Sequence, residues 1–499
     1  MSATHAIAGI ARADLLERLR RSSTLALLAL TLLAAWMVNT GRLGVRVGDF
    51  RGVFDSSWIG AMMSLIVTSV LGLLGFYLVK DPVSRDRLTG VGQIVAATPV
   101  STPSYLLGKW LSSTGVLLLV LGVLAIAAMI VQLLHGEAPL RPVALVTPLL
   151  LVAAPALSLV AAMALLFETV PLLRGGLGNV LWLFLFSAGI LAGIGPWGQV
   201  APALEPLGIG LFMPSLNAAV SAIDPNHSGG LVVGFSSKGG TFRTFTWPGI
   251  DWAGGIVLAR LALVALAAAI AVVPSLWFDR FEAPPAPARR RLPAWIPGGE
   301  TLGRITGRLG IVGAELRMLL AGQPGWWILG LVAVALAGFA QPDALVAGWL
   351  WPLAAWSALG CRAERDGTLP LLLSTPGGVV RPVLAAFGAG AILAAVAGLG
   401  TLLRSLSDPI AVAAFAAGCA FIPALALACG VWTRGPRLFE VVWLLLWYLG
   451  PLNRTPGLDV ARIRSPLVIS AWLAAAAVLL LLAVAGRARD RDRVASGRG

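Results

Sequence analysis

Charge is what this sequence has least of. Only 12% of its 499 residues are charged, where a soluble domain carries about a quarter. Lysine occurs three times, at Lys80, Lys109 and Lys238. Cysteine occurs three times as well, at Cys361, Cys419 and Cys429, and the last two share one apolar run, so no disulfide framework follows. The histidines, His5, His135 and His227, lie far apart, which argues against a histidine metal centre. No G-x-x-x-x-G-K-[ST] loop exists, because Gly108-Lys109 is followed by Trp110 and Lys238 follows Ser237. The chain therefore has no sequence able to cradle nucleotide phosphates. HExxH, CxxC and GxSxG are missing too. Together these absences exclude the familiar metalloprotease, dithiol and hydrolase centres and leave no soluble catalytic domain.

What fills the chain instead is apolar. Hydrophobic residues make up 58% of it, and the mean hydropathy is +0.87. Apolar runs of about 20 residues, enough to cross a bilayer core of about 30 Å, recur from Leu25 to Val484. Backbone polar groups cannot be left bare in lipid, so such runs must be helices. The fold class expected is an all-α polytopic membrane protein. Crossings are expected near 24–40, 58–79, 106–134, 142–168, 177–196 and 252–277. A second set is expected near 325–341, 344–360, 382–403, 409–432, 439–452 and 466–485, twelve in all. The first run follows about 20 charged, amphipathic residues with no cleavage-site pattern, so no cleavable signal peptide is expected.

The net charge of +14 is almost wholly arginine. Its arginines sit in short loops between apolar runs, which fits the positive-inside rule better than nucleic-acid binding. The N-terminus (Arg12, Arg18, Arg20, Arg21), the loop with Lys80, Arg85 and Arg87, and the linker with Arg289, Arg290 and Arg291 are the cytoplasmic candidates. The loop with Arg362 and Arg365 and the tail with Arg487, Arg489, Arg491 and Arg493 join them. With twelve crossings all of these share one side and both termini are inside. Outside would then lie 41–57, of mixed charge, and 197–251, rich in Pro, Gly and aromatics such as Trp197, Trp247 and Trp252. The latter reads as an interfacial or re-entrant segment, or as a plain outer loop.

A duplication organises the chain. Arg85-Asp86-Arg87-Leu88-Thr89-Gly90 and then Ile94 to Pro99 match Arg362-Ala363-Glu364-Arg365-Asp366-Gly367 and then Leu371 to Pro376 at one offset of 277 residues. Three segments follow: 1–277, a six-crossing half; 278–300, a Pro/Arg-rich linker; and 301–499, a second six-crossing half with a basic tail. The linker prolines, Pro284, Pro285, Pro287, Pro293 and Pro297, make it a stiff spacer. Each half opens on an amphipathic stretch, carried by Leu302, Ile305, Leu309, Val312, Leu316 and Leu319 in the second and by Ile7, Ala11, Leu15 and Leu19 in the first. Such a basic helix lies in the membrane interface, or packs on a partner. Arg304, Arg308 and Arg317 lie off the apolar face of the second, and Arg12, Arg18, Arg20 and Arg21 surround that of the first.

The repeated loop is charged at its start, then apolar, and stops at Thr-Pro, where helix is disfavoured. A short helix with Leu88, Val91, Ile94 and Val95 on it is suited to dock in a groove of another protein. Two copies imply two equivalent grooves; an ordinary positive-inside turn is the alternative.

The string from Leu78-Val79-Lys80-Asp81 through Arg85 to Ile94, then Thr98 to Ser101 and Tyr105-Leu106-Leu107-Gly108-Lys109, resembles the permease subunits of type-2 ABC exporters. The resemblance covers the first half, and the second by repeat position. It implies an elbow helix before each first crossing, two re-entrant half-helices within 197–251, and a coupling helix between the second and third crossings that contacts a cytoplasmic ATPase subunit. The coupling residues it implies are Arg85, Asp86, Arg87, Thr89, Gly90, Thr98 and Pro99, with Arg362, Glu364, Arg365, Asp366, Gly367, Thr375 and Pro376 at the repeat positions. It further implies a bacterial plasma-membrane location, two ATPase copies using the ATP, no cofactor on this chain, and export of a hydrophobic or amphipathic cargo. Two departures stand out. The family's usual subunit has six crossings and dimerises, and the second half has a short outer segment, Asn453 to Ser465, where the first has a long one.

Charges inside crossings are functional candidates. Arg260 lies about eight residues into the sixth, roughly 12 Å deep at 1.5 Å per residue, either snorkelling outward or serving the pathway. Glu168 and Glu440 sit near helix ends, where Arg174 and Arg437 can pair with them. Two other classes compete. A multi-spanning glycosyltransferase using a lipid-linked donor would place acids in the first outer loop, where Asp49 and Asp55 are found. A secondary transporter would carry midplane carboxylates, and none lies well inside a crossing.

Overall fold

The computed structural model describes residues 3–20, 31, 36–38, 43–80, 82–171, 173, 176–227, 230–235, 242–278, 281, 309–321, 323, 325–341, 343–375, 377–452 and 457–496. The crossing expected at 24–40 lies almost entirely outside these residues. So do the linker 282–300, Asp81, Arg174 and Pro376, and Leu302 and Ile305 of the second amphipathic stretch. The chain divides into two compact units, Met1–Ala283 and Pro284–Gly499.

Unit 1 begins with α1 (Ala3–Leu19) and two short strands, β1 (Leu43–Val47) and β2 (Phe50–Gly52). Asp55 then caps α2 (Ser56–Ile66), accepting the Trp58 N–H at 2.8 Å, so one of the orphan donors at the helix start is satisfied. A π-turn (Val67–Leu71) carries α2 into α3 (Gly72–Val79). Two short helices, α4 (Pro82–Leu88) and α5 (Val91–Ala96), lead to α6 (Thr102–His135). At 34 residues α6 is roughly 51 Å long, so it extends well past a bilayer core of about 30 Å. The chain continues in α7 (Pro142–Pro148), a π-turn and α8 (Ala154–Thr169), then α9 (Gly176–Ile194), α10 (Pro196–Val200) and α11 (Ile209–Ser221). Strands β3 (Leu231–Phe235) and β4 (Arg243–Phe245) precede the last helix of the unit, α12 (Gly254–Val272).

Unit 2 opens with α13 (Gly310–Ala321), bent by 111° from α14 (Gly325–Ala340). The short helices α15 (Ala344–Gly348), α16 (Leu353–Trp356), α17 (Arg362–Arg365) and α18 (Leu369–Leu373) follow. Next come α19 (Val380–Ala397), α20 (Leu399–Arg404) and α21 (Pro409–Thr433), the last capped by the Asp408 carboxylate on the Ile410 and Ala411 N–H groups. The unit ends in α22 (Arg437–Trp447) and α23 (Pro466–Ala495). Proline lies in the first turn of α6, α7, α21 and α23, where backbone N–H groups have no partner within the helix and its missing N–H costs little.

Seven helices among the described residues are long and apolar enough to cross a membrane, and eight if the bent pair 310–340 is one span. They carry Leu133, Leu258, Leu467 and Leu481 exposed on their flanks, an apolar surface that water does not tolerate in such quantity. The protein is a mostly helical polytopic membrane protein. Of the twelve expected crossings, 58–79, 106–134, 142–168, 252–277, 382–403, 409–432 and 466–485 fall on these seven. The others that the structure describes are not among these seven. The run 344–360 is broken into α15 and α16, 439–452 holds an 11-residue helix and a π-turn, and the described apolar part of 177–196 is Leu181–Ile194.

One element was not foreseen. The four strands form a sheet in the order β3-β1-β2-β4, so 41–57 and 197–251, expected as separate outer segments, are joined. Val45 pairs with Val233 across the antiparallel β1–β3 ladder, and Arg51 with Thr244 across the parallel β2–β4 pair. Trp58 at the start of α2 packs edge-on to Phe245, and the Trp247 indole donates to Ser215 of α11 at 2.9 Å. The strands are too short and too far apart in sequence for an alternating pattern to reveal them.

Within each unit a set of ion pairs marks each of two ends. In unit 1 the sheet, the Arg51–Glu137 pair (2.9 Å) and the Ser56–Gln132 bond (2.8 Å) mark one end. Residues of α1, α4 and the start of α6 meet at the other. In unit 2 Arg434 reaches Glu364 (3.0 Å) and Asp490 (3.6 Å) at the end bearing α17 and α18. Arg462 with Asp343 (2.6 Å) and Arg464 with Asp408 mark the opposite end.

Candidate functional site

Several hydrogen bonds of the repeated loop recur in both copies. Thr89 N donates to the Arg85 carbonyl at 2.9 Å, and Asp366 N to the Arg362 carbonyl at 2.9 Å. Gly90 N reaches the Arg87 carbonyl at 3.4 Å, and Gly367 N the Glu364 carbonyl at 3.1 Å. Gly90 and Gly367 then adopt positive φ, +76° and +66°, where a Cβ is disfavoured. A Cβ at either would meet open space, so strain rather than a clash makes glycine the fitting residue. The short helices α5 and α18 follow, and each is closed by a threonine hydroxyl turned back on the chain: Thr98 Oγ1 on Val95 O (2.7 Å), Thr375 Oγ1 on Leu372 O (2.8 Å). Every one of these pairs keeps the offset of 277.

The same offset matches what each helix leaves uncovered. Ile94 is 68% exposed and its counterpart Leu371 is 72% exposed. Val91 is exposed beside Ile94, and Pro99 is exposed at the loop's end. The opposite sides are packed. Gly92 lies under the Phe281 ring, and Leu369 and Leu373 pack with Val379 against Val484 and Ala488 of α23. Each loop is thus a braced helix presenting a large apolar side chain outward, joined in the first by Val91.

The charges that open the loops point the other way. Asp86 is buried, accepting from the Tyr105 hydroxyl at 2.7 Å and facing Lys109 Nζ at 2.8 Å. Lys109 also reaches Asp14 of α1 at 2.8 Å, and Asp14 accepts from Arg18 Nε (2.8 Å) and the Ser112 hydroxyl (2.6 Å). Arg85 pairs with Glu17 on the same helix, with Asp14 3.9 Å away. Burial pushes the Asp14 carboxyl up, but Arg18 and Lys109 beside it more than offset this and hold it well below the usual carboxylate range. α1 comes this close because Gly108 faces Ile10 and the Ile7 carbonyl with no side chain between them. In unit 2 the aligned arginine does the equivalent thing, Arg362 pairing with Glu315 of α13. Both loops are therefore fastened by their first arginine to the first described helix of their unit.

This arrangement corrects two expectations. Arg18 does not lie around the apolar face of α1; it is buried with Asp14. Asp86 is an internal strut, not a surface charge. Arg87 lies over the Phe278 ring at 6.0 Å, and Arg365, Asp366 and Gly367 are exposed. Glu364 is half-buried against Arg434. Glu168 accepts from the Ser84 backbone N–H and so holds the start of the first loop. Asp14, Glu17, Lys109, Tyr105 and Glu315 were not singled out as site residues. A lysine and an aspartate each set among apolar neighbours were the available signal, since such charges persist only when paired.

Arg260 neither snorkels outward nor faces solvent. Its side chain is 0% exposed, donating to the carbonyls of Glu205 (2.7 Å) and Pro202 (3.2 Å) in the turn between α10 and α11. The Glu205 carboxylate in turn accepts from Leu207 N (2.6 Å) and Gly210 N (3.1 Å) at the start of α11, and Thr68 donates to the Leu207 carbonyl at 2.8 Å. An irregular turn among apolar helices needs partners for its open carbonyls, and Arg260 supplies two. Arg260→Met should leave both without a donor, at about 1–3 kcal/mol for each. Amide exchange of residues 204–210 is expected to accelerate at least tenfold while the β1–β3 ladder keeps its protection, with Arg260→Lys intermediate. Unchanged exchange in that turn would show that Arg260 does not hold it. No protein-family model matches this chain, and no curated protein matches it.

Proposed function

We propose that this chain is the membrane-spanning permease subunit of an ATP-binding-cassette exporter, with two six-crossing halves fused. The observation that carries the reading is the pair Ile94 and Leu371: an exposed apolar residue at the matching position of two braced helices 277 residues apart. Two equivalent outward-facing helices call for two equivalent grooves. Two copies of a cytoplasmic ATPase subunit would provide them, and the fastening of each loop to its opening helix would pass the movement of that partner into the membrane. ATP would be bound by the partner, with no cofactor on this chain. The residues from Arg85 to Pro99 and from Arg362 to Pro376 form the coupling segments, Arg85, Asp86 and Arg362 acting inward and Ile94 and Leu371 outward. Export of a hydrophobic or amphipathic compound from a bacterial plasma membrane rests on the resemblance of the first loop.

Twelve crossings with both termini cytoplasmic remain the layout proposed, seven of them coinciding with helices long and apolar enough to cross. Cysteine placed at Asn226 should react with an impermeant thiol reagent in intact cells, and cysteine at Thr368 should not. The reverse pattern would reject the layout. The glycosyltransferase reading loses ground because Asp55 is occupied as a helix cap. The exporter reading is tested by purifying the chain with its ATPase and weighing the intact complex. One copy of the chain with two ATPase subunits is expected, and two copies of the chain in the minimal active unit would sink it.

A further inference from the structure

At the end of unit 2 away from the 362–375 loop, a cavity of about 300 Å³ lies between α20, the start of α21 and residues 461–464. That volume is at the lower end of small-molecule sites. Its wall is mainly apolar, with Leu345, Leu402, Ala414, Phe415 and Ile463, and Asp343, Arg462 and Arg464 complete it. The two arginines differ in what they have left to give. Arg462 is engaged on three sides, donating from Nε and Nη2 to Asp343 (3.1 and 2.6 Å) and from Nη1 to Asp459 (2.9 Å) and the Pro451 carbonyl (3.0 Å). Arg464 has a side chain 71% exposed and gives only Nη1, to Asp408. Among the described residues its Nε and Nη2 donate to nothing.

That free edge of Arg464 is a planar two-donor fork, the shape that meets a carboxylate or phosphate through two parallel bonds. Its pair with Asp408 is on the surface, and such pairs are weak enough to exchange. Arg462 is matched by Asp343 and Asp459, so among the arginines of the wall the spare donors belong to Arg464. We propose that this cavity binds an amphipathic acid, its apolar chain among Leu345, Leu402 and Phe415 and its oxyanion on Arg464. An anionic phospholipid and a free amphipathic acid share this chemistry. The site needs nothing from the ATPase reading and stands or falls separately from it.

The test uses the full chain in nanodiscs of zwitterionic phospholipid, titrated calorimetrically with dodecanoate and, as the uncharged control, dodecanol. Dodecanoate is expected to bind about tenfold tighter than dodecanol, as one charge-assisted oxyanion contact implies. Arg464→Gln should erase that difference; Arg464 is exposed, so this variant should fold. Ala414→Trp should weaken both ligands, and Ser405→Trp at the wall serves the same purpose where the buried Ala414 does not tolerate bulk. Repeating the titration with phosphatidylglycerol in the discs separates the sources. Competition with dodecanoate identifies the lipid headgroup as the occupant, and unaltered binding identifies the free acid. Dodecanoate binding that is the same in Arg464→Gln, or that survives both tryptophan variants, overturns the proposal.

Discussion

Glutamate at both exposed positions, Ile94→Glu with Leu371→Glu, is expected to abolish binding of the partner ATPase while the chain still inserts and folds. Burying an isoleucine or leucine side chain is worth about 1.5–3 kcal/mol, so losing two in one complex weakens it by about 100-fold or more. A carboxylate forced into an apolar groove adds a desolvation penalty to that loss. Neither side chain supports its own unit, since both are exposed, so thermal stability should stay within a degree or two of the parent. The single variants should each be intermediate. Val91, exposed beside Ile94, enlarges the first surface, so Ile94→Glu should cost more than Leu371→Glu. The measurement is partner affinity by surface plasmon resonance on nanodisc-embedded protein. Full affinity in the double variant would make both loops ordinary turns.

The second large effect is one of stability. Lys109→Met is expected to destabilise unit 1 by about 3–5 kcal/mol, because it leaves Asp14 and Asp86 facing one another's negative charge in a buried place. The loop would loosen with it, since Asp86 and Tyr105 anchor α4 to α6. Asp14 adds a pH dependence whose sign is fixed. Its carboxyl is held below the ordinary value of about 3.9. Its contribution is therefore complete above that pH and is lost as pH falls through the lower, folded value. The acid limb of a thermal-stability profile below about pH 4 should flatten in Asp14→Asn, which should also be less stable than the parent at neutral pH. A Lys109→Met protein as stable as the parent would show that this cluster is not what fastens the loop.

Much of this was legible in the sequence because it depended on composition and short-range pattern. Charge scarcity and apolar runs sufficed for the membrane helices, seven of which coincide with expected crossings. The repeat at Gly90 and Gly367 was readable because a positive φ demands glycine and leaves a mark in the letters. The helix-ending threonines left a similar mark. What was not legible depended on long-range contact. Nothing near Leu43 announces that it will pair with Phe235, and the sheet was missed. Nor does any local pattern say that Asp86 turns inward to Lys109, so one charge expected at a partner surface is an internal strut. Arg260 was singled out for its cost in lipid, but its acceptors lie 55 and 58 residues away in a turn whose carbonyls are exposed only because the helix breaks there. The stretches 344–360 and 439–452 also differ from the expectation. Both stretches read as apolar runs, yet the first is divided near Pro352 into α15 and α16, and the second runs from an 11-residue helix into a π-turn.

The central claim is that Ile94 and Leu371 are contact points for a cytoplasmic ATPase. A photo-crosslinking amino acid placed singly at position 94, at position 371, and at the exposed helix position 481 tests it in the intact membrane. Irradiation of cells is expected to join the chain to its ATPase from positions 94 and 371 and not from 481. Crosslinks to lipid alone at 94 and 371, or equal capture of the ATPase from 481, would contradict it.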